Sequence, residues 1–396
     1  MRKVLISGAS IAGPATALAL VRYGFDVTVV ERAPTVRLGG YPIDLRGTAI
    51  QVAEKMGLMD GLREAHIHSK RMRFFDDDGR VLVTIKPEDL TGGIQGFDVE
   101  IPRGAISSLL FEATRNDVDY RFNESIVAID QDSTGANVTF QSGRTERFDI
   151  VIGADGLHSN TRGIIFGPEA PFERYLGYTF IGFTMPNMPD YDQESACYFA
   201  ENRFATLFAV KGFDRPFAFF VLQRPRPSDE DTRDVESYRR MMHEAFKNDG
   251  WVIPEMLKEL DVANDLFWDT VSQIRMPTWS SGRVALVGDA GYGPSFMTGQ
   301  GTSLAMVGAY VLAGELATHA DHSVAFANYE KVARKFVEDN QSLASPGGWQ
   351  LIPNSAEDAA QRRIGLAAIQ QTSAPDKRAL EKRAVHNSLE LPEYAA

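Results

Sequence analysis

Cysteine is nearly absent from this sequence: Cys197 is the single one among 396 residues. One cysteine excludes both an intramolecular disulfide and a zinc site built from cysteines, so we expect a buried, unreactive thiol. Long apolar runs are absent too, since no stretch reaches the roughly 18 residues that a membrane span needs. The apolar run after Lys3 ends at Ser7 and Gly8, which is unlike a signal peptide. These absences predict a cytoplasmic protein with no membrane partner.

Positive charge is also scarce. The sequence has 41 Lys and Arg against 53 Asp and Glu, which gives a formal net charge of −12. Nucleic-acid binding needs concentrated Lys and Arg, so this balance argues against a nucleic-acid partner and favours a small ligand. The histidines form two short-spaced pairs, His66 with His68 and His319 with His322, which are more typical of surface positions than of a metal site. We therefore predict no metal ion.

The start of the chain carries a βαβ pattern. Residues 4–6 form a short apolar run, residues 11–23 have apolar positions at helical spacing, and residues 27–30 return to strand character. Inside this unit lie the candidate ligands Gly8, Ser10, Ile11, Ala12, Gly13, Glu31 and Arg32. Small residues let backbone amides approach a pyrophosphate, and an acid at the second strand end accepts hydrogen bonds from a ribose. The unit predicts adenine-dinucleotide binding and leaves FAD and NAD open.

The remaining pattern predicts a second domain interleaved with the first. Further elements are expected as a β-hairpin at 72–85, buried strands at 148–153 and 283–288, an antiparallel sheet within 175–222, and helices from 302 onward. Ser10 and Ser159 lack the strand–turn–helix setting of a hydrolase nucleophile, so hydrolase chemistry is not supported.

Two later motifs decide between the dinucleotides. One is Asp155-Gly156-Leu157-His158-Ser159-Asn160-Thr161-Arg162, and the other runs from Gly288-Asp289 through Pro294 to Gly299-Gln300-Gly301-Thr302. Together with the βαβ unit at the start of the chain, which is the first motif, these two motifs resemble those of the FAD-dependent aromatic monooxygenases of the para-hydroxybenzoate hydroxylase fold, also called class A. The resemblance extends over about residues 1 to 340. The family usually has His where Tyr292 stands and Pro near Phe296, which are departures in this chain.

The resemblance implies an α/β fold with a Rossmann-like FAD-binding domain, an interleaved antiparallel-sheet substrate domain and a helical C-terminus. The predicted domains are 1–71, 100–174 and 280–340 for FAD, 72–99 and 175–279 for substrate, and 341–396 for the C-terminal helical segment. It also implies which residues contact the cofactor. These are Asp155, Gly156 and Arg162, Gly288, Asp289 and Pro294, Gly299, Gly301 and Thr302, and the arginines Arg37 and Arg103.

The resemblance further implies the reaction. NAD(P)H, with NADPH expected, reduces the flavin, O2 adds at the flavin C4a carbon, and the resulting hydroperoxide hydroxylates the substrate. This chemistry is centred on the flavin, so no catalytic side chain is assigned. The stretch Gly39-Gly40-Tyr41-Pro42-Ile43-Asp44-Leu45-Arg46-Gly47 resembles the bacterial tetracycline-inactivating and polyketide-modifying hydroxylases, which implies an aromatic or polycyclic substrate, such as a tetracycline.

The aromatic segment 175–222 is expected to roof the cavity over the flavin. Its candidate substrate contacts, with one from the last motif, are Tyr198, Arg203, Arg215, Phe220 and Phe296. A monomer or homodimer is expected. Two alternatives stay open: a non-catalytic protein that sequesters FAD or an antibiotic, and a flavin-dependent halogenase. The halogenase motif Trp-x-Trp-x-Ile-Pro is absent, because Trp268 and Trp279 stand alone.

Overall fold

The structure is a computed structural model that describes residues 1–37, 39–186, 188, 190–211, 215–348, 351–372, 375 and 377–395. Parts of the predicted C-terminal segment, at 349–350, 373–374, 376 and 396, lie outside the described residues. Within the described part, no helix combines the length and apolar character needed to cross a membrane.

The described strands belong to four sheets. In chain order they are β1 Lys3–Ser7, β2 Asp26–Glu31, β3 Pro42–Leu45, β4 Arg71–Phe75, β5 Val81–Ile85, β6 Val99–Pro102, β7 Asp119–Phe122, β8 Ile126–Gln131, β9 Ala136–Phe140, β10 Thr145–Phe148, β11 Ile150–Gly153, β12 Glu173–Thr184, β13 Glu194–Ala200, β14 Arg203–Ala209, β15 Phe217–Gln223, β16 Phe267–Ile274, β17 Ser280–Ser281 and β18 Val284–Leu286.

The described helices lie between these strands along the chain and after the last of them. In chain order they are α1 Ala12–Arg22, α2 Thr48–Lys55, α3 Met59–Glu64, α4 Pro87–Thr91, α5 Arg103–Glu112, α6 Asn160–Phe166, α7 Asp229–Arg233, α8 Val235–Phe246, α9 Ile253–Val262, α10 Asp289–Tyr292, α11 Gly301–Thr318, α12 His322–Ser342, α13 Ala356–Thr372 and α14 Lys377–His386.

A six-stranded, mostly parallel sheet contains the predicted βαβ unit. Its strand order is β17-β18-β11-β1-β2-β7, and β1 pairs in parallel with both β2 and β11. The apolar residues of β1 are buried on both faces, as the continuous apolar run predicted. The parallel strands β1, β2, β11 and β18 end beside one another, so their following loops meet at one edge of the sheet. The three sequence motifs occupy these loops.

A seven-stranded sheet forms the second layer, in the order β16-β12-β15-β14-β13-β4-β5. The predicted hairpin, β4 with β5, joins this sheet through a parallel pairing of β4 with β13. Side chains alternate between its faces: Phe217 and Phe219 pack on one side, while Ala218 and Phe220 pack on the other against α8 and α9. This arrangement and the mixed α/β layers confirm the predicted fold class. The domain boundaries stay a prediction.

The C-terminal helices close the molecule over both layers. Helix α13 packs on β5, and α14 packs on α4 and α12. Beyond α14 the chain returns to helices α2 and α11, where Thr48 Oγ1 donates to the Leu389 carbonyl at 3.0 Å and the hydroxyl of Tyr310 donates to the Pro392 carbonyl at 2.9 Å. The C-terminal segment therefore links the end of the chain to helices α2 and α11.

Candidate functional site: a cavity between the two sheets

A cavity of about 580 Å³ lies between the carboxyl edge of the parallel sheet and the inner face of the seven-stranded sheet. Most of the predicted cofactor residues line it. They are Gly8, Ser10, Ile11, Ala12, Glu31, Arg32, Arg37, Arg103, Asp155, Gly156, Asp289, Pro294, Gly299, Gly301 and Thr302. Gly13, Arg162 and Gly288 are not among the lining residues, and their packing shows what they do instead.

The first motif forms a turn that only glycine permits at two positions. Gly8 has φ +108°, and a Cβ built there would lie 2.5 Å from the Ala154 carbonyl oxygen. A Cβ at Gly13 would lie 1.9 Å from the Gly8 carbonyl oxygen, so Gly13 packs inside the turn rather than facing the cavity. No described side chain caps the first turn of α1, which leaves its backbone amides available to an anion in the cavity.

Charged groups surround this helix end. The guanidinium of Arg103 donates to Ser10 Oγ at 3.1 Å, which places a cation beside the first turn of α1. Glu31 Oε2 accepts the Ala9 amide at 2.9 Å, so the carboxylate is fixed at the end of β2. Burial lowers the pKa of Arg37, and the nearby cations of Arg103 and Arg32 lower it further. The three arginines form a positive cluster that suits a pyrophosphate.

In the second motif, one residue lines the cavity and another stabilises the loop that follows β11. Asp155 lines the cavity, but its Oδ2 also accepts the Thr161 amide at 2.9 Å and the Thr161 hydroxyl at 2.8 Å. Arg162 is 1% exposed and donates to the carbonyls of Ala290 at 2.8 Å and Leu157 at 2.7 Å. The side chain of Arg162 therefore stabilises the loop that follows β11 and does not line the cavity.

The third motif surrounds the start of α11. Burial raises the pKa of the Asp289 carboxyl, and the cation of Arg103 opposes that shift. Gly299 has φ +67°, and no described side chain caps the first turn of the 18-residue helix α11. The Oε1 atom of Gln300 is buried beside this helix end without a hydrogen-bond partner among the described residues. Gly288 instead permits close packing, because a Cβ there would lie 2.9 Å from the Ala12 Cβ.

Tyr292, which stands where the family usually has His, is packed in the hydrophobic core between the parallel sheet and its helices. It is 1% exposed, and its hydroxyl shares a hydrogen bond of 2.8 Å with the Tyr329 hydroxyl. A Cβ at Gly308 would lie 1.9 Å from the Tyr292 hydroxyl, so the glycine makes room for the larger ring. The departure from the family pattern is therefore accommodated away from the cavity.

The opposite wall of the cavity is aromatic. Its rings are those of Tyr41, Phe180, Phe204, Phe208, Phe219, Phe267 and Phe296. Tyr41 bridges the two sides, with ring centroids 5.9 Å from Phe219 and 6.1 Å from Phe267. Phe296 lies 5.0 Å from Phe180 and is the one predicted substrate contact that lines the cavity. This wall suits a planar ring system.

Four predicted substrate contacts do not reach the cavity, and they require a correction. Tyr198 donates to Asp77 at 2.7 Å, Arg203 pairs with Asp249 at 2.6 Å, Arg215 donates to the Met185 carbonyl at 2.7 Å, and the Phe220 ring packs 4.6 Å from that of Phe246. The reason for Tyr198 and Phe220 is strand alternation, since a shift of one residue moves a side chain to the other face. Phe219 and Cys197 occupy the cavity side in their place.

Several lining residues escaped the sequence reasoning. Asp44, Arg46, Glu100 and His386 line the cavity, and the sequence pattern predicts no role for them. The pairing of β3 with β6 places Asp44 directly opposite Glu100, which no local pattern reveals. His386 comes from α14 near the far end of the chain, and a histidine in an otherwise ordinary helix carries no signal of a site.

These features fit FAD. The open helix end of α1 with its arginine cluster matches a pyrophosphate, Glu31 is placed for a ribose, and Asp289 with the uncapped start of α11 matches the polar parts of a flavin. The orphan Gln300 Oε1 is an acceptor that a ligand donor would satisfy. The fold and the site together define a dinucleotide-binding flavoprotein.

Comparison with known proteins gives the family. Residues 1–342 match the family model described as FAD binding domain. A flavin-dependent monooxygenase from an unknown prokaryotic organism is 38% identical over 397 residues, covering 99% of both chains. Another from Legionella longbeachae is 34% identical over 393 residues, covering 99% of this chain and 98% of the relative. The chain belongs to the FAD-dependent monooxygenases of this family, as the motifs predicted.

A solved structure agrees over the full length. The crystal structure of the tetracycline destructase Tet(55) has 35% sequence identity and a TM-score of 0.84, and the match covers 100% of this chain and 99% of that chain. A relative from Mycobacterium tuberculosis, described as an uncharacterized protein, is 41% identical over 353 residues, which are 88% of this chain and 95% of the relative. Similarity thus extends to proteins with and without a described activity.

Proposed function

We propose that this protein uses NAD(P)H and O2 to hydroxylate an aromatic or polyketide-like small molecule at bound FAD. The observation that carries the proposal is a single cavity with two chemically different ends. The nucleotide end has Glu31, Arg103 and Asp289, and the sheet end has the aromatic wall that includes Phe180 and Phe219. A cofactor and a planar substrate can therefore meet inside one cavity.

The proposed division of labour follows from these residues. When bound, FAD would supply the activation of oxygen, which no side chain of the protein can perform. Arg103 and the open end of α1 would hold the pyrophosphate, while Asp289 and the first turn of α11 would orient the ring system. The aromatic wall would orient the substrate and exclude water. The sequence shows no second dinucleotide motif, so NADPH would dock transiently rather than in a domain of its own.

A tetracycline is the first substrate to test. The support is the full-length likeness to a tetracycline destructase and the seven aromatic rings that face the cavity. The extended aromatic wall suits a ligand with several fused rings rather than a single ring. Smaller polyketide-like aromatics form the second group of candidates.

The test begins with the cofactor. Purified protein should be yellow and should release FAD rather than FMN on denaturation; colourless protein that binds no added FAD removes the basis of the proposal. Oxidation of NADPH and of NADH is then followed with and without tetracycline and other polycyclic aromatics. The proposal expects stimulated NADPH consumption and a product heavier by one oxygen atom.

The same assay separates the alternatives. A sequestering protein would bind the aromatic without consuming NADPH, and a halogenase would give a halogenated product when halide is present. A flavin reduced equally fast with every compound, and no oxygenated product from any of them, would contradict the proposed hydroxylation.

A further inference from the structure

The backbone around Tyr41 places this residue beside Arg103. Strand β3 pairs with β6 so that Pro42 lies opposite Pro102. Because the strands are antiparallel, Tyr41 precedes this pair on one strand and Arg103 follows it on the other. A Cβ at Gly40 would lie 3.4 Å from the Arg103 Cβ and Cδ atoms, so the chain also packs on the arginine just before the tyrosine. Tyr41 is therefore held at the nucleotide end of the cavity, where Arg103 lies.

The ring of Tyr41 reaches the aromatic wall of the seven-stranded sheet. Its centroid lies 6.3 Å from that of Phe217, 5.9 Å from that of Phe219 and 6.1 Å from that of Phe267. The contact with Phe267 is stacked, with an angle of 28° between the ring planes. Phe296, from the third motif, packs 5.3 Å from the same Phe219 ring. Tyr41 and Phe296 thus bring rings from the nucleotide side into the wall.

The Tyr41 hydroxyl lies in the electrostatic field of two residues predicted to bind FAD. Burial raises the pKa of this hydroxyl, the cation of Arg103 opposes that shift, and the carboxylate of Asp289 adds to it. The hydroxyl is therefore protonated at neutral pH and can donate a hydrogen bond. The side chain is partly exposed, and it lines the cavity. A ligand in the cavity can therefore contact it.

Tyr41 differs chemically from the other rings of the wall. The described residues that line the cavity include six phenylalanines, Tyr41 as the one tyrosine, and no tryptophan. A phenylalanine ring has no polar group and is not readily oxidised, whereas a tyrosine ring has a hydroxyl donor and gives up an electron more easily. A ligand in the cavity therefore meets one aromatic hydroxyl, which lies at the junction of the two ends.

We propose that Tyr41 contacts both ligands, with its hydroxyl towards the flavin ring of bound FAD and its ring face against the rings of the substrate. The inference rests on the proposed function, which supplies both ligands, and it assigns to Tyr41 the alignment of one with the other. The hydroxyl end is assigned to the flavin because the charges of Arg103 and Asp289 act on it. The ring face is assigned to the substrate because it is part of the aromatic wall.

Flavin fluorescence tests the contact with FAD without turnover. An excited flavin in contact with a tyrosine takes an electron from the phenol ring and returns it, which quenches the emission, whereas phenylalanine is not oxidised. FAD-loaded Tyr41→Phe should therefore show several-fold higher emission per bound FAD, and a longer excited-state lifetime, than the wild type. Tyr120→Phe is the matched control and should match the wild type, because the Tyr120 hydroxyl bonds to Thr114 and Tyr120 does not line the cavity.

Calorimetric titration tests the contact with the substrate. Tetracycline and 1,2-dihydroxyanthraquinone are titrated into the FAD-loaded protein without NADPH. Tyr41→Leu removes the flat ring but keeps an apolar side chain, and it should weaken ligand binding about tenfold, the loss of roughly one aromatic contact. Tyr41→Phe keeps the ring and should weaken ligand binding much less than Tyr41→Leu does. Thermal unfolding and FAD absorbance verify that each variant is folded and loaded.

Each outcome decides one contact. Unchanged emission and lifetime in Tyr41→Phe overturn the contact with the flavin. Unchanged ligand affinity in folded Tyr41→Leu, or a wild type that binds neither compound, overturns the contact with the substrate. Because neither measurement needs NADPH or O2, a protein that shows both contacts but oxidises nothing supports the role of Tyr41 and contradicts the proposed hydroxylation. A protein that hydroxylates a substrate but shows neither contact contradicts the role of Tyr41 alone.

Discussion

The two ends of the cavity are built by different means. At the nucleotide end, the chain approaches the cavity through backbone turns, and glycines such as Gly8 stand where a Cβ would collide with neighbouring backbone. At the sheet end, the cavity is bounded by side chains that alternate along strands, such as Phe219 facing in and Phe220 facing out. One end is specified by local sequence and the other by the register of the seven-stranded sheet.

This difference predicts different tolerance to change. A turn that leaves no room for a Cβ fails with the smallest substitution, so the nucleotide end should be intolerant at single positions. A wall of packed rings can adjust its volume, so the sheet end should accept changes that alter which ligand is bound. The following variants test each half of that contrast, in order of decreasing expected effect.

The neighbouring rings Phe219 and Phe220 separate packing from ligand contact. Phe220→Ala should destabilise the protein by about 3–5 kcal/mol, because it opens a hole in the core beneath α8 and α9. Phe219→Ala should cost less stability, since one side of its ring borders the cavity, but it should weaken binding of an aromatic ligand such as tetracycline. Chemical denaturation and ligand titration of both variants measure the two effects. Equal loss of stability with unchanged ligand binding would place Phe219 in the core rather than in the wall.

Substitution of Gly13 tests whether the nucleotide end tolerates an added side chain. Gly13→Ala should weaken FAD binding by about 100-fold or more, because its Cβ would lie 1.9 Å from the Gly8 carbonyl oxygen and must displace the turn. Gly365→Ala is the matched control, since no described atom outside the neighbouring backbone of its own helix lies within 4 Å of its Cβ position, and it should leave FAD binding intact. FAD titration of the folded proteins provides the comparison. Near-normal FAD affinity in Gly13→Ala would show that the turn is not needed for the cofactor.

Asp289 tests a side chain at the same end. Asp289→Ala should weaken FAD binding by about 1–3 kcal/mol, the range for leaving buried hydrogen-bonding groups unpaired. Asp289→Asn keeps the shape and one acceptor, so its effect should be smaller. Unchanged FAD affinity in the alanine variant would show that Asp289 has only a structural role, at the start of the short helix α10.

His158 links the two ends and should have the smallest effect. Its imidazole hydrogen-bonds to Asp269 on the sheet at 2.9 Å and to Glu169 at 2.8 Å, and these carboxylates raise the pKa of His158 to about 10. The stabilisation is complete below the unfolded pKa near 6.5 and is lost as the pH rises to about 10. His158→Gln should therefore lower the melting temperature more at pH 6 than at pH 10. A difference that is the same at both pH values would contradict an ionic link.

The residues of the nucleotide end could be predicted from the sequence because they lie in short contiguous motifs. The turn around Gly8, the acid at Glu31 and the Asp289 loop each follow a buried strand, and parallel strands end at one edge. The sheet end was beyond that reasoning for two reasons. Strand register decides whether Phe219 or Phe220 faces the cavity, and composition does not determine register. The position of Arg162 shows that the sequence also leaves the role of a motif residue open, since such a residue can stabilise a loop instead of binding a ligand.

The path of the chain around the cavity has a consequence for biosynthesis. Gly8 and His386 border the same cavity although nearly the whole chain separates them. The glycine turn and the aromatic strands emerge from the ribosome long before α14. The nascent chain therefore exposes the apolar wall of an incomplete cavity while synthesis continues. Contacts at such separation form late and slowly. Chaperones that bind exposed aromatic surface should therefore engage nascent chains that stop before α14 and release those that extend past it.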